Sequence, residues 1–449
     1  MKIAASTVDI TPTHPVVTGG YLDRPLISEV AERLEANLVV LRDDSGSEPM
    51  VIISLDLLYP GRILRSALES ALPELRPDQI FLAATHTHQA PMTDDTKALL
   101  GAPDDKYMDM LVLGLSRELR RLLLLEETQI GELSTAGVSA KHSINRRFRR
   151  RVTLDRRSHS HWWGSPVRLV FNSYLLAPNP HGVTDELITV LISRSPAGRA
   201  QFVIWNYACH PVAFPDKDKV AADYPHYVRD ILRTTLGVAD LPVLFLQGFS
   251  GNTRPSASVS KTSGLSSWTR RMMFGPSFTL MTWSAYTTWA TELGELVADG
   301  CAHSRPLDEA VVSPRRSLIA TSSVVAGAPE PQVSFHSIRF GSGFSIVGAS
   351  AELVAEFSPK IRAMAGSEQV MCVGCLDHPF GYAPTSRIRA EGGYEGGDYC
   401  PMFSLGPLAE NVEEEMLQGF RAVLGSNVPH PGATGDLGHG SGRNTRIPL

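Results

Sequence analysis

Two hydrophobic rhythms alternate along this chain. Continuous apolar runs at 36–41, 51–55, 80–84, 201–207 and 243–246 predict strands covered on both faces. Between them, at 62–75, 107–125, 224–236 and 291–301, apolar residues recur at helical spacing. Further strands are predicted at 332–340, 344–347 and 369–373. Strands and helices interleave almost to the end, which predicts an α/β fold of mixed β-sheets flanked by helices. No internal repeat and no linker stands out. The reading is one domain over 1–427, followed by a Gly-rich, flexible tail over 428–449. Two other stretches read as irregular: 142–165, and the Ser-, Thr- and aromatic-rich 256–287.

Composition narrows the class. Of 449 residues, 43% are hydrophobic and 20% charged, the mix of a globular protein. A net charge of -5 argues against a nucleic-acid binder as a whole. No run of about 18 apolar residues occurs, so no transmembrane segment is expected. The leucines at 122–125 sit between Arg120, Arg121, Glu126 and Glu127, as on a soluble helix. The first residues, MKIAASTVDITPTHP, lack the apolar core of a signal peptide. Five cysteines form no framework, which fits a reducing, cytoplasmic setting. Cys372 and Cys375 make a lone CxxC, read as two buried thiols in a strand and the turn after it. A small-molecule substrate and a homo-oligomer are both compatible with this composition.

Chemistry gathers at two strand ends. In FLAATHTHQAP (81–91) an apolar run delivers His86 and His88 and stops before Pro91. In FVIWNYACHPV (202–212) a second run delivers His210, again before a proline. Neutral imidazole is the commonest zinc ligand, and α/β sheets bind ligands at the carboxyl ends of their strands. A catalytic zinc needs at least one further ligand. Pattern alone does not choose among the carboxylates, of which Asp56 in ISLDL and Glu352 in VGASAELVAEF both follow strands.

The order of the segments resembles the catalytic domain of the neutral/alkaline, non-lysosomal ceramidases. The likeness runs from VDITPTHPVVTGGYLDR through ISLDL, ATHTHQAP, INRR, NYACHPV, ADYP and FLQGFSGNTRP to GCLDHPFGYAPT and GGYEGG. The resemblance implies one zinc ion per chain held by His86, His210, Glu352 and Tyr382. It places His88 opposite the reacting carbonyl, either donating to the developing oxyanion or relaying a proton. Arg146 and Tyr394 would line the same pocket, with Asn145, Asn252, Arg254 and Asp56 on the substrate side. The implied activity is hydrolysis of an N-acyl bond by metal-activated water. Ester hydrolysis, deacetylation, elimination, or ligand binding without turnover are the alternatives.

The sequence departs from the family at three points. Arg254 stands where the family has a serine, and Asn252 where it has an aspartate. The family's extra β-sandwich and signal peptide have no counterpart. Together these predict a shorter, intracellular relative with a more polar or anionic substrate than ceramide. Between residues 146 and 157, seven of twelve residues are arginine, followed by His159, His161, Trp162 and Trp163. That run is expected as a solvated loop or as a rim that steers anions inward.

Overall fold

The computed structural model describes the chain except residues 43–47, 126–127, 157–166, 261–274, 308–311, 328–331 and 426–449. The tail, His159, His161, Trp162 and Trp163 therefore lie outside the described residues.

The fold is α/β, and among the described residues it is built on one strand plan used three times. In the first sheet the order is Ile80–Ala84, Met50–Leu55, Glu35–Arg42, Lys2–Asp9, Thr128–Gln129. In the second it is Val243–Gln247, Ala200–Tyr207, Leu187–Arg194, Glu132–Ser139, Arg305–Pro306. In the third it is Val370–Val373, Phe344–Ala349, Val333–Phe340, Val312–Ile319. Each sheet has three strands joined antiparallel in chain order, a helix, then a fourth strand parallel to the third. The crossover helices are Arg62–Ala71, Tyr224–Thr235 and Phe357–Ala365. A second helix follows each unit: Asp105–Leu124, Trp283–Ala302 and Val412–Leu424. The repeat is thus one of topology, which is why residue identities did not reveal it.

Apolar burial explains the assembly. Each sheet packs one face on its own helices, through separate cores around Leu111, Trp289 and Phe420. The other faces share a single core, with Ile52 and Phe81 from the first sheet, Ile204 and Leu244 from the second, and Ile346 and Met371 from the third. Strands buried on both sides read as continuous apolar runs, which is what the sequence showed.

Boundaries shifted for local reasons. The first helix stops at Ala71 because Pro73 bars the residue before it from helical geometry. The helix expected to start at 291 begins at Trp283, with Thr282 capping the backbone N–H of Ala285 at 3.2 Å. The stretch expected to be irregular from 142 is, through Arg156, a long strand, Ser143–Arg156, paired antiparallel with Val167–Asn179. No helix of the described residues is long and apolar enough to cross a membrane.

Candidate metal centre

Carboxyl ends from all three sheets converge. Beyond Ile80–Ala84 the chain makes one more sheet-like bond, Thr85 N–H to Leu55 O at 2.8 Å, and then turns at His86. His86 adopts φ 69°, a left-handed backbone rare for a side chain with a Cβ and worth on the order of 1–3 kcal/mol of strain. His210 follows Ala200–Tyr207. Its loop is anchored by Asp223, whose carboxylate accepts from the backbone N–H of Ala213 at 2.9 Å and Phe214 at 3.2 Å. Glu352 lies just beyond Phe344–Ala349 and pairs in parallel with Tyr382.

The three imidazoles share one orientation scheme. Nδ1 of His86 faces Leu58 O at 3.0 Å, that of His210 faces Ser250 O at 2.7 Å, and that of His88 faces Gly20 O at 3.3 Å. A carbonyl only accepts, so each Nδ1 carries the proton and each Nε2 keeps its lone pair. Those three Nε2 atoms are buried without a hydrogen-bond partner, as is Oε2 of Glu352. Glu352 Oε2 lies 3.3 Å from the Nε2 of both His86 and His210. The ligand atoms of His86, His88 and His210 all lie within 4.8 Å of one another, and the group could hold a metal ion.

The donor set fits such an ion. Ligands about 2.0–2.2 Å from a tetrahedral zinc stand roughly 3.3–3.5 Å from each other, which is the separation of the carboxylate from its two histidines. Buried orphan atoms are rare, and those of His86, His210 and Glu352, 3.3 Å from carboxylate to each imidazole, call for a shared partner. The electrostatics agree. Burial opposes charge on Glu352, yet His86 and His210 hold its carboxyl well below the usual range. Burial pushes the His210 imidazole down to about 3, helped by the Arg146 charge. Burial, with His86 and His210 beside it, also holds His88 well below the ordinary imidazole value. His86 is the exception: burial is outweighed there by Cys375 and Glu352, which raise it and favour a second proton on Nε2 unless a cation takes that place.

An aromatic and cationic wall stands behind the carboxylate. Tyr382 is buried, reaches both Glu352 and Arg146, and stacks edge-on to Tyr394 with ring centroids 5.2 Å apart. Arg146 lies over both rings, at 5.5 and 5.6 Å. Its Nε donates to Glu395 Oε1 at 2.7 Å, while one terminal nitrogen has no partner. Arg147 holds the other Glu395 oxygen at 2.9 Å.

Three residues expected on the substrate side turn inward instead. Asp56 is 0% exposed, and both its oxygens face Arg229, at 3.0 and 2.9 Å. Asn252 accepts from Ala355 N–H at 2.9 Å and donates to Glu356 at 2.7 Å, so its amide fixes the turn after Glu352. Asn145 donates to Val183 O at 2.8 Å and accepts from Arg147 N–H at 2.9 Å. Each of the three already bonds to protein partners through its polar atoms. Arg254 does stay partly exposed, with its guanidinium 4.8 Å from the Phe278 ring and its Nε unpartnered.

Sequence reasoning missed Tyr59 and Glu395. The Tyr59 hydroxyl donates to Glu352 Oε1, and its ring lies 5.3 Å from that of His86. Nothing in its surroundings signals this. Glu395 could have been found, since an acid inside GGYEGG facing two arginines invites a pairing. All five cysteines are free and buried, as expected of Cys372 and Cys375.

No protein-family model matches this sequence, and no curated protein matches it. Solved structures do. One is the neutral ceramidase from Pseudomonas aeruginosa, at 13% identity and TM-score 0.70, over 94% of this chain and 74% of that one. Another is a ceramidase complexed with C2, at 14% identity and TM-score 0.71, with the same coverage of 94% and 74%. At such identity the likeness is one of architecture: this chain has a neutral-ceramidase-like fold.

Proposed function

We propose that the chain is a zinc-dependent hydrolase that cleaves an N-acyl bond in a substrate more polar or anionic than ceramide. The observation that carries this reading is the convergence of partnerless ligand atoms from His86, His210 and Glu352, with His88 facing them. The similar structures support the choice of an amide, because both are ceramidases and ceramide is an N-acyl compound.

His86, His210 and Glu352 hold the ion in this reading, with Tyr382 alongside. When bound, zinc supplies Lewis acidity, polarising a carbonyl and making water nucleophilic near neutral pH. His88 has its proton on Nδ1, so its free Nε2 is suited to take a proton from water and pass it to the leaving amine. The Tyr394 phenol, pushed up to about 12 by burial, stays protonated and donates to the oxygen that gains charge. Arg146, clamped by Glu395, adds positive potential on the same side. Glu395 and Asn252 act through the residues they position.

The test is direct. Purified protein should carry about one zinc per chain. It should cleave some N-acyl compounds, lose that activity to a chelator, and regain it with zinc. His86→Ala should lack both metal and turnover. A chain that never takes up metal would sink the proposal, as would a zinc-loaded one inert toward every acyl compound.

A second reading is favoured by the close approach of all three imidazoles: His88 is itself a ligand. Gly20 separates the two. Its φ is +93°, and a Cβ there would lie 2.3 Å from His88 Nδ1, so Gly20→Ala must displace the imidazole. If His88 moves protons, the variant keeps its zinc while kcat/KM drops about 10²-fold, the typical scale for a lost acid–base group. If His88 binds metal, zinc content falls in parallel. Metal analysis beside steady-state kinetics reads the difference.

A further inference from the structure

Three cations gather on the His88 side of the centre without a paired acid among the described residues. Tyr21 stacks 5.2 Å from the His88 ring. Arg24 and Lys217 both approach the Tyr21 ring, each 4.6 Å from its centroid. Arg24 is tied in place by donating to the carbonyls of Lys217 and, at 3.4 Å, His88. Arg254 is the third. Its charge acts on both Tyr21 and Lys217, and its Nε finds no partner. None of the three forms an ion pair with a described residue. Two acids attract the cluster without pairing with it: Asp223, which acts on Lys217, accepts from the backbone N–H groups of Tyr224, Ala213 and Phe214, and Asp218, which acts on Arg24, is exposed to solvent.

Such an arrangement is costly as it stands. All three side chains are half-buried, and like charges in a partly dry site repel. Burial and the neighbouring Arg254 and Arg24 depress the Lys217 ammonium; burial and Arg146 depress Arg254. The face of Tyr21 offsets this only in part, since a cation–π contact contributes about 0.5–2 kcal/mol. Most other charges around the site are matched, as Arg146 and Arg147 are by Glu395 and Glu391. An unmatched positive cluster with forked guanidinium donors, opening beside the proton-moving histidine, is complementary to an oxyanion.

We propose that Arg24, Lys217 and Arg254 form an anion subsite beside His88, which holds a carboxylate or phosphate carried by the substrate close to the scissile bond. This rests on the hydrolytic reading above and narrows it, from a polar substrate to an N-acyl compound bearing an acid near the amide. Tyr21 serves as the floor against which Arg24 and Lys217 are held.

Two measurements on the full-length chain separate this subsite from the hydrolytic reading. The first is calorimetric titration of inorganic phosphate into chelator-treated protein. Binding should weaken about tenfold or more in Arg24→Gln and in Lys217→Gln, the scale of one hydrogen bond to a charged group. It should be unchanged in Lys219→Gln, whose side chain already pairs with Glu29 and Asp216. The second is cleavage by zinc-loaded protein of N-lauroylglycine, its neutral methylamide, and N-lauroyl-phosphoethanolamine. An acidic compound should be preferred over the methylamide by at least about tenfold, mainly in KM, and Arg24→Gln should abolish the preference. Which acid wins tells carboxylate from phosphate. Equal cleavage of acidic and neutral compounds, or phosphate binding untouched by both substitutions, would overturn the subsite and leave the hydrolase intact. Phosphate binding lost in both variants, with no compound cleaved, would support the subsite and sink the amidase.

Discussion

Glu352→Gln is expected to strip the protein of zinc and to lower kcat/KM by on the order of 10⁴-fold, the scale seen when one member of a catalytic unit is removed. The substitution keeps the shape of the side chain and leaves the Tyr59 hydroxyl an oxygen to donate to. What it removes is charge. Two neutral imidazoles and a neutral amide bind a divalent ion far less well than two imidazoles and a carboxylate. The amide also places an N–H near the Nε2 atoms of His86 and His210, where it can hydrogen-bond to a lone pair otherwise free for the metal. The fold should survive, because the new group has partners and no cavity is opened. Metal content by mass spectrometry, circular dichroism and steady-state kinetics check the three parts. A variant that keeps both zinc and turnover would remove Glu352 from the ligand set.

Asp56→Ala is expected to destabilise the fold by about 3–5 kcal/mol, the range for stranding one partner of a buried ion pair. Asp56 and Arg229 are 0% and 1% exposed, and the pair is the inner end of a network. Arg229 also lies 3.2 Å from Glu35, which Arg233 grips with two bonds of 2.9 Å. Glu35 cannot replace the lost carboxylate, because its own oxygens are already shared with Arg233. Replacing both partners, as Asp56→Leu with Arg229→Met, should recover most of the loss, since an apolar pair leaves no stranded charge. Guanidinium unfolding of the single and double variants gives the comparison. The opposite result, a raised KM at unchanged stability, would return Asp56 to the substrate.

The histidines were legible because a strand end is a local signal. An apolar run that stops at His before Pro can be seen in a dozen residues, and two such runs imply one site. Glu352 gave no comparable signal; only resemblance to a family pointed to it, because its meaning depends on segments about 140 and 270 positions earlier in the chain. Tyr59 is a harder case, an ordinary tyrosine after a strand until the third sheet brings Glu352 to its hydroxyl. Asn145, Asn252 and Asp56 pose the converse difficulty. A polar residue in a site-forming segment faces either the substrate or the backbone behind it, and spacing does not distinguish the two. The threefold plan escaped notice because helices and strands can be built from unrelated apolar residues, so the order of pairing persists where sequence likeness has gone.

The centre and its surroundings come from different stretches of chain. In the proposed centre each sheet supplies only one or two residues just past a strand, and the strand ends are tied across sheets by backbone bonds such as Ala84 N–H to Cys375 O and Gly374 N–H to Gln247 O. Arg24 and Lys217 come instead from connecting segments that surround it, and Arg254 from the short strand Thr253–Pro255 paired with Ser143–Arg156. Substrate preference can therefore drift by exchange of those segments while the hub stays untouched, and a new specificity need not put the folded state at risk.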